Sequence, residues 1–392
     1  MMRARSASTT IADPYRAGLA LGQELAGIEP EIVFLFVTTY YDDWAEFMSG
    51  LYDGLGCCDV RVIGTSGDGF FESSLVSDVG AAALGIDGGG TIRWHVESRS
   101  GVAADPEGAV RRALDGLAVK LEGRQPAFYF MVCDSSADGS RIEAVVHEEV
   151  NVPVIGGLAG DDTGKAGRGL LFMDGMHLKD AVVMLAVDGP LAFQIHLGNS
   201  MSPVGTPGIV DDAEGMMLRR IGGMEAVAFV EQQTGKSIMR SDQGIALKLI
   251  DPDDGDEQKL RAVNQAATAD TSTLTLFGGI RNGSLVQVCM ARPDALETEV
   301  HTVAAQAMHS NFVPAAALII SCAGRKWLMG GHIEHEVRFI EERFQHCLPL
   351  AGFPSFGEIG PMARKDGYTR NLFHNMTFVL LLLGTEIRPC AC

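Results

Sequence analysis

The residues of this chain that could do chemistry are concentrated in its last quarter. Cys322 and Arg325 directly follow one apolar run, and Phe353, Phe356 and Glu358 follow another. In an open α/β sheet, ligands bind beyond the carboxyl ends of the parallel strands. If both runs are strands of one sheet, these two segments are expected to converge on a binding site.

Arg325 has two interpretations. Its guanidinium could offer a planar fork of donors to a ligand carboxylate, with Phe353 and Phe356 as an apolar wall. Alternatively, Arg325 forms an ion pair with Glu358 and the phenylalanines belong to the core. The sequence leaves both open, since loops at strand ends are rich in binding residues and buried pairs are also common. A guanidinium cannot act as a base, so we predict a role in binding rather than catalysis.

His374 and Asn375 precede the strongly apolar run Phe378–Leu383. An imidazole at a strand entrance can point into a pocket or hold the preceding loop, because a buried histidine must satisfy its nitrogens. Both residues are therefore candidates for the binding site. Cys322 with His374 and Glu358 nearby could instead imitate a cysteine hydrolase. The sequence favours a binder over an enzyme, because cysteines at strand ends are usually packed as small hydrophobes.

Two other groups could bind a metal. His332 and His335 lie three residues apart at the start of a predicted helix and could share one face. The order is not H-E-x-x-H, and a solvated helix face is favoured. Cys390 and Cys392 in the tail, like the adjacent cysteines at 57 and 58, offer soft ligands but have no partner nearby in sequence. For these we predict a reactive tail rather than a metal site.

The elements that must position these residues follow a pattern that occurs three times. An apolar run is followed by a helical stretch and by a second apolar run that ends in a glycine-rich turn with an acid. The turns are Gly64–Asp68, Gly156–Asp161 and Gly352–Glu358. Apolar runs without alternation indicate strands buried on both faces, as parallel strands are when helices cover them. Each copy is therefore a predicted β-α-β unit.

The glycine-rich turns supply two further candidates, Gly157 and Asp161. Backbone N–H groups in such turns can face an anion, although the acids argue against phosphate. In the alternative interpretation, glycine is present only for turn geometry or close packing. From the similar spacing, Asp161 and Glu358 are predicted to occupy equivalent places in two copies of the unit.

A further apolar run follows each turn. The first two continue into predicted hairpins, from Ala81–Ile86 to Ile92–Val96 and from Ala181–Val187 to Phe193–Leu197, so mixed sheets are expected. The predicted fold is α/β, with two related lobes whose mixed β-sheets are built on repeated β-α-β units and carry helices packed on them. A loop-rich passage near 200–225 separates the lobes. The predicted divisions are an N-terminal extension over 1–24, lobes over 25–215 and 216–387, and a cysteine-containing tail over 388–392.

Composition limits the partners. The 392 residues carry a net charge of -19, which repels nucleic acid and anionic membrane surfaces. The N-terminus has no apolar core of the signal-peptide kind, and the most apolar run is far shorter than the roughly 20 residues that span a bilayer. The eight cysteines are scattered, which is typical of reduced thiols. A cytoplasmic protein without nucleic-acid or membrane partners is predicted.

Several segments together resemble the FIST family. Those that resemble its C-terminal half are Ser321–Arg325, Leu348–Phe353, Phe356–Pro361 and His374–Thr377, and those that resemble its N-terminal half are Val62–Ser66 and Ile155–Asp162. The resemblance covers about residues 25 to 385. It implies a sensory module that binds a small ligand and works beside signalling proteins in bacterial signal transduction.

No transmitter module is predicted in the chain, an architecture that resembles the stand-alone nitric-oxide-sensing FIST proteins of bacteria. That resemblance implies haem as a cofactor and a histidine kinase as a partner, with His374 as the first axial candidate if haem is bound. The alternatives are an amino-acid-like ligand without haem, or a cysteine-dependent enzyme acting on a small metabolite. The oligomeric state is left open.

Overall fold

The structure is a computed structural model that describes residues 2–162, 168–238, 244–250, 259–265, 268 and 272–385. It confirms the predicted mixed α/β fold with helices packed on mixed sheets. The strands and helices form three units with the same order of elements, and a further layer is inserted into the third.

The first unit extends to Asp87. It consists of β1 (Arg3–Thr9), α1 (Pro14–Ala26), β2 (Ile32–Val37), α2 (Trp44–Leu55), β3 (Arg61–Ser66), β4 (Phe70–Glu72), β5 (Leu75–Ser77) and β6 (Ala81–Asp87). The segment predicted as an extension, 1–24, thus holds β1 and most of α1. Because β1 pairs with β6 along its whole length, this segment is part of the first unit.

The second unit repeats this order. It consists of β7 (Arg93–Ser100), α3 (Pro106–Leu121), β8 (Phe128–Cys133), α4 (Gly139–Glu149), β9 (Val154–Leu158), β10 (Leu171–Met173), β11 (Met176–Leu178) and β12 (Ala181–Asp188). The aspartate before each of the first four helices accepts a hydrogen bond from a backbone N–H of the first turn, as an N-cap does. These caps are Asp13, Asp43, Asp105 and Asp138.

The third unit begins with β13 (Ala192–Gly198), and the inserted layer follows before its first helix. The inserted layer consists of β14 (Ser202–Pro203), β15 (Gly208–Glu214), β16 (Met217–Ile221), β17 (Met224–Glu225), α5 (Ala226–Thr234), β18 (Gly244–Ile250), β19 (Lys259–Ala262), β20 (Leu274–Thr275) and β21 (Leu285–Ala291). The unit then continues with α6 (Pro293–Ala307), β22 (Val313–Cys322), α7 (Ala323–Met329), a 3-10 turn (Gly330–His332), α8 (His335–Arg343), β23 (Leu350–Ser355), β24 (Glu358–Gly360), β25 (Ala363–Arg364), β26 (Gly367–Tyr368), β27 (Leu372–His374) and β28 (Phe378–Thr385).

Each unit contributes four strands to one six-stranded sheet and gives a pair of short strands to a neighbour's sheet. The strand orders are β1-β6-β2-β3-β10-β11, β7-β12-β8-β9-β24-β27 and β13-β28-β22-β23-β4-β5. The second unit thus gives strands to the first sheet, the third unit to the second sheet, and the first unit to the third sheet. The two predicted hairpins are wrong, because β6 and β7, like β12 and β13, belong to different sheets.

One glycine marks the same register in each unit. It lies on the second parallel strand and faces a residue of the first strand, in the pairs Gly64↔Leu35, Gly156↔Met131 and Gly352↔Ile319. A Cβ atom at any of these glycines would lie 2.3 Å or less from the carbonyl oxygen of the facing residue. Glycine is therefore required by the close approach of the two strands, and the three β-α-β units are equivalent.

The turns after these strands are hydrogen-bonded to one another in a cycle. In each, a backbone N–H donates to a carbonyl of another unit, in the bonds Asp68 to Pro354 (3.0 Å), Phe356 to Leu158 (3.1 Å) and Gly160 to Ser66 (2.9 Å). The prediction that Asp161 and Glu358 occupy equivalent positions is wrong. Glu358 opens β24, and its counterpart at the start of β10 is Leu171, whereas Asp161 lies three residues after the end of β9.

The three sheets turn one face each toward a common apolar core. Phe34 and Phe130 meet edge to face and Phe36 stacks on Phe353, with ring centroids 5.2 Å apart in each pair. Burial of each such ring contributes about 2 kcal/mol. The opposite faces are covered by α1 and α2, by α3 and α4, and by α6 to α8 respectively.

Strand pairing crosses the lobe boundary predicted near residue 215. β13 pairs with β28, β4 with β23, and β24 with β9, so two of the sheets contain strands from both predicted lobes. The inserted layer has its own apolar core and packs beside the third unit. Among the described residues, no helix is both long enough and apolar enough to cross a membrane.

Candidate functional site

A cavity of about 530 Å³ lies between the inserted layer and the carboxyl ends of β22 and β23. The inserted layer contributes Gly244, Ile245, Ala262, Val263, Asn264, Gln265 and Phe277, and the third unit contributes Cys322, Ala323, Gly324, Trp327, Leu328, Ser355, Phe356 and Met376. Its size is that of a small-molecule site. Its position beyond parallel strand ends is where ligands of α/β sheets bind.

Helix α7 turns one face to the cavity. Gly324, Trp327 and Leu328 are spaced by three and four residues and lie together on that face. The indole of Trp327 is held from the first unit, since its Nε1 donates to Asp68 Oδ2 at 2.5 Å. Lys326 Nζ donates to the other oxygen of the same carboxylate at 2.9 Å. Asp68 thus fixes an aromatic side chain at the rim of the cavity.

Arg325 points away from the cavity toward α6 and α8 and does not line it. It is fully buried, and it donates to Glu299 Oε2 at 2.6 Å and to Glu336 Oε1 at 2.7 Å. Its partners belong to α6 and α8, so neither the predicted fork for a ligand nor the predicted ion pair with Glu358 is present. The guanidinium holds the three helices of the third unit together.

Cys322 and Phe356 line the cavity, as expected for residues at strand ends. The ring of Phe356 lies 6.2 Å, centroid to centroid, from the rings of Trp327 and Phe277. Phe353 does not join them, because its side chain points to the common core and stacks on Phe36. Because successive residues of a strand point to opposite faces of the sheet, Phe353 faces the core and not the cavity.

Glu358 lies fully buried beneath the cavity wall. Its carboxylate accepts hydrogen bonds from the hydroxyls of Ser355 at 2.5 Å and Thr377 at 2.7 Å, and from the Thr377 N–H at 3.2 Å. Burial raises the pKa of Glu358 to about 7, against the lowering effect of these hydrogen bonds. Because Ser355 lines the cavity, a proton on Glu358 is one hydroxyl away from a bound ligand.

His374 is fully buried and does not line the cavity. Its Nε2 lies 2.9 Å from the carbonyl oxygen of Gly360, so it holds the loop between β24 and β27, the alternative considered for it. Burial lowers the pKa of His374 to about 4. Asn375 accepts a hydrogen bond from the N–H of Ala262 at 3.0 Å and thereby joins the third unit to the inserted layer at the cavity.

Gly157 and Asp161 are buried outside the cavity lining. Gly157 pairs with Glu358 across β9 and β24, where a Cβ atom would lie 2.9 Å from the Gly357 carbonyl oxygen. The close packing considered for this glycine is what the structure shows. Asp161 is 1% exposed and follows Gly160, whose N–H forms one of the three hydrogen bonds that join the turns of different units.

Sequence reasoning missed the half of the cavity that the inserted layer supplies. Asn264, Gln265 and Phe277 carry no motif, and only the packing of the inserted layer on the third unit brings them to the site. Trp327 and Leu328 could have been found, because they share a helix face with Gly324 directly after a strand end.

Cys322 is expected to react slowly with iodoacetamide. Its side chain is buried, and burial together with the nearby carboxylate of Glu358 raises the pKa of its thiol well above the usual range. The exposed residues Cys57, Cys58 and Cys347 should be alkylated first, as measured by peptide mass spectrometry at neutral pH. Denatured protein serves as the control in which all thiols react. Rapid stoichiometric labelling of Cys322 in the native protein would contradict this. Cys390 and Cys392, predicted to react early, lie outside the described residues.

A mixed α/β fold with a largely apolar cavity that is open to solvent on one side is the kind of architecture that binds small molecules. The FIST N domain matches residues 5–224 and the FIST C domain matches residues 223–361. The chain therefore belongs to the FIST family, as the sequence resemblance predicted. FIST domains are small-ligand sensing domains of signal transduction.

Individual relatives are distant. Uncharacterised proteins of Mycobacterium bovis and Mycobacterium tuberculosis are each 26% identical to the chain over 260 residues, which is 62% of this chain and 64% of theirs. The match thus spans less than two thirds of the length of these relatives. The crystal structure of a cyanuric acid hydrolase from A. caulinodans aligns with 99% of this chain and 100% of its own, at 10% identity and a TM-score of 0.36.

Proposed function

We propose that this protein is a sensor whose cavity between the inserted layer and the third unit binds a small, uncharged and partly aromatic metabolite. The observation that carries the proposal is the cavity itself, which lies between two apolar cores at the carboxyl ends of parallel strands. Membership of a family of ligand-sensing domains supports the same function.

The lining selects the chemistry of the ligand. Three aromatic rings, of Phe277, Trp327 and Phe356, present flat apolar surfaces, and Asn264 and Gln265 present amides. None of the described residues that line the cavity carries a formal charge, and an unpaired charge is costly to remove from water. A neutral ring system with a few hydrogen-bonding groups therefore fits better than a carboxylated or phosphorylated metabolite.

Ligand binding would be signalled by a change in the position of the inserted layer. It is held to the rest of the molecule by a buried ion pair between Arg261 and Glu143, with Nη2 2.7 Å from Oε2, and by the hydrogen bond from Ala262 to Asn375. Ala262 also lines the cavity. A ligand that fills the cavity touches both sides of this junction and so favours one position of the inserted layer.

A haem-based mechanism is less well supported by the geometry. His374, the axial candidate, has its Nε2 engaged with a backbone carbonyl and lies in the protein interior away from the cavity lining. It does not fit as a ligand for a haem in this cavity. Nitric oxide sensing and a histidine kinase partner stay predictions, and the absorption spectrum of the purified protein tests the first, because bound haem gives a Soret band.

Replacement of Trp327 by alanine is expected to weaken ligand binding about 10-fold, since it removes one of the three aromatic rings that line the cavity and with it about 1 kcal/mol or more of ring contact. The side chain is 52% exposed, so its loss should leave the fold intact. Neutral heteroaromatic metabolites and their carboxylated analogues can be screened by thermal shift, followed by titration of the hits.

Tyr40→Ala is the matched control, since Tyr40 is 48% exposed and lies outside the cavity lining. Cys322→Ser should also keep binding, because no thiolate is involved. Hits that bind wild type and Trp327→Ala equally would place the site elsewhere. A clear preference for carboxylated analogues would overturn the proposed ligand class.

A further inference from the structure

The fold brings a carboxylate to the two histidines that the sequence analysis assigned to a solvated helix face. Glu297 lies on α6, His332 ends the 3-10 turn and His335 opens α8. Glu297 Oε1 lies 3.0 Å from His335 Nδ1 and 3.8 Å from His332 Nδ1. One ligand atom from each residue can be chosen so that all lie within 4.8 Å of one another.

We propose that Glu297, His332 and His335 form a binding site for a divalent transition metal, zinc above all. Two imidazoles and a carboxylate are a donor set that zinc accepts, with a further position left to water. In a tetrahedral zinc site, ligand atoms lie roughly 3.4 Å apart, as follows from bond lengths near 2.1 Å. The distances of 3.0 and 3.8 Å from Glu297 to the two histidines lie on either side of that value.

The surroundings favour a formed site. The ring of Phe339 lies 5.3 Å from that of His335 and stacks on His301 at 3.6 Å, which restricts the His335 side chain. His335 and Glu297 are partly buried, with side chains 16% and 31% exposed, while His332 at 67% leaves a path for the ion. The net charge of -19 attracts cations to the whole molecule.

The position of the site defines its role. It joins α6 to the start of α8, and Glu299 and Glu336, the partners of Arg325, are close in sequence to the proposed ligands on those same helices. A metal bound here ties together, from the surface, the helices that Arg325 holds from inside. Zinc should therefore stabilise the third unit rather than take part in the chemistry of the cavity.

The test is a zinc titration of the full chain without a histidine tag, in competition with a chromophoric chelator. Wild type should bind one equivalent that Glu297→Gln, His332→Gln and His335→Gln each bind about 100-fold more weakly or not at all, since even changes beyond the ligands cost 10–100-fold. His309→Gln is the matched control, because His309 is an exposed histidine of the same unit outside the cluster.

A second measurement separates this site from the cysteines. Cobalt in the proposed site should give visible bands without the near-ultraviolet charge-transfer band of thiolate ligands, and those bands should vanish in Glu297→Gln. Zinc should raise the melting temperature of wild type but not of that variant. Failure of wild type to bind zinc, equal binding by all variants, or the same loss in His309→Gln would each overturn the proposal.

Discussion

Replacement of Arg325 by methionine is expected to lower the free energy of unfolding by about 3–5 kcal/mol, because it leaves two buried carboxylates without their cation. The side chains of Arg325 and Glu336 are fully buried, and that of Glu299 is 7% exposed. Burial already raises the pKa of Glu299, with Arg325 opposing that effect, so loss of the guanidinium exposes the whole cost of burying the charge. Urea unfolding at neutral pH measures the change.

Arg338→Met is the matched control on α8. Arg338 forms an exposed pair with Glu342 at 3.6 Å, and such a pair contributes less than about 1 kcal/mol. Adding Glu299→Gln and Glu336→Gln to Arg325→Met should recover part of the lost stability, since the unpaired charges are then gone. If Arg325 instead belonged to the ligand site, methionine would weaken ligand binding at unchanged stability, which is the outcome that would contradict the structure.

The β-α-β units could be predicted from the sequence because their signals are local. Uninterrupted apolar runs such as Ile32–Val37 are buried on both faces, as the absence of alternation indicated. The glycines at 64, 156 and 352 also recur for a local reason, since each lies against the carbonyl of the facing strand. Strand type and parallel pairing were therefore recoverable without an overall fold.

The exchange of strands between units could not be predicted in the same way. A short connection such as that between Asp87 and Arg93 is typical of a hairpin, yet here it carries the chain from one sheet to the next. What decides between the two is the common core of three sheets, which buries more apolar surface than isolated hairpins would. That preference belongs to the whole molecule and leaves no local signal in the sequence.

The candidate site was predictable in part for the same reason. Cys322 and Phe356 were identified because strand ends are marked in the sequence. Arg325 was misplaced because α7 has only seven residues, too few for periodicity to show which face is buried. Its side chain turns to α6 and α8, whereas its neighbours Gly324 and Trp327 turn to the cavity.

Glu358→Gln and His374→Gln are expected to change the pH dependence of the free energy of unfolding in opposite directions. Glu358 and His374 face each other across β24 and β27, and both are fully buried. Burial raises the pKa of Glu358 from 4.5 to about 7 and lowers that of His374 from 6.5 to about 4. As pH rises from 4.5 to 6.5, the shifted pKa of Glu358 lowers the stability of the wild type and that of His374 raises it. The two effects largely cancel, so the wild type alone does not reveal them.

Glu358→Gln should become more stable relative to wild type as pH rises from 4.5 to 7. Over that range the unfolded wild type has lost the proton that the folded protein keeps, so wild-type stability falls with pH. The shift of about 2.5 units in the pKa of Glu358 corresponds to roughly 3 kcal/mol of folding stability. The glutamine amide has the shape of the protonated carboxyl group, and the variant should therefore lack this trend.

His374→Gln should show the reverse, becoming more stable relative to wild type as pH falls from 6.5 toward 4. In this range the imidazole of His374 becomes protonated in the unfolded wild type but stays neutral in the folded protein. The stability of the wild type therefore falls by up to roughly 3 kcal/mol. Guanidinium unfolding of wild type and both variants at pH steps from 4 to 8 gives the differences directly. Effects of other groups, such as His196, whose pKa burial also lowers to about 4, are common to all three proteins and cancel. Differences that stay constant across this range for both variants would show that neither pKa is shifted in the folded protein.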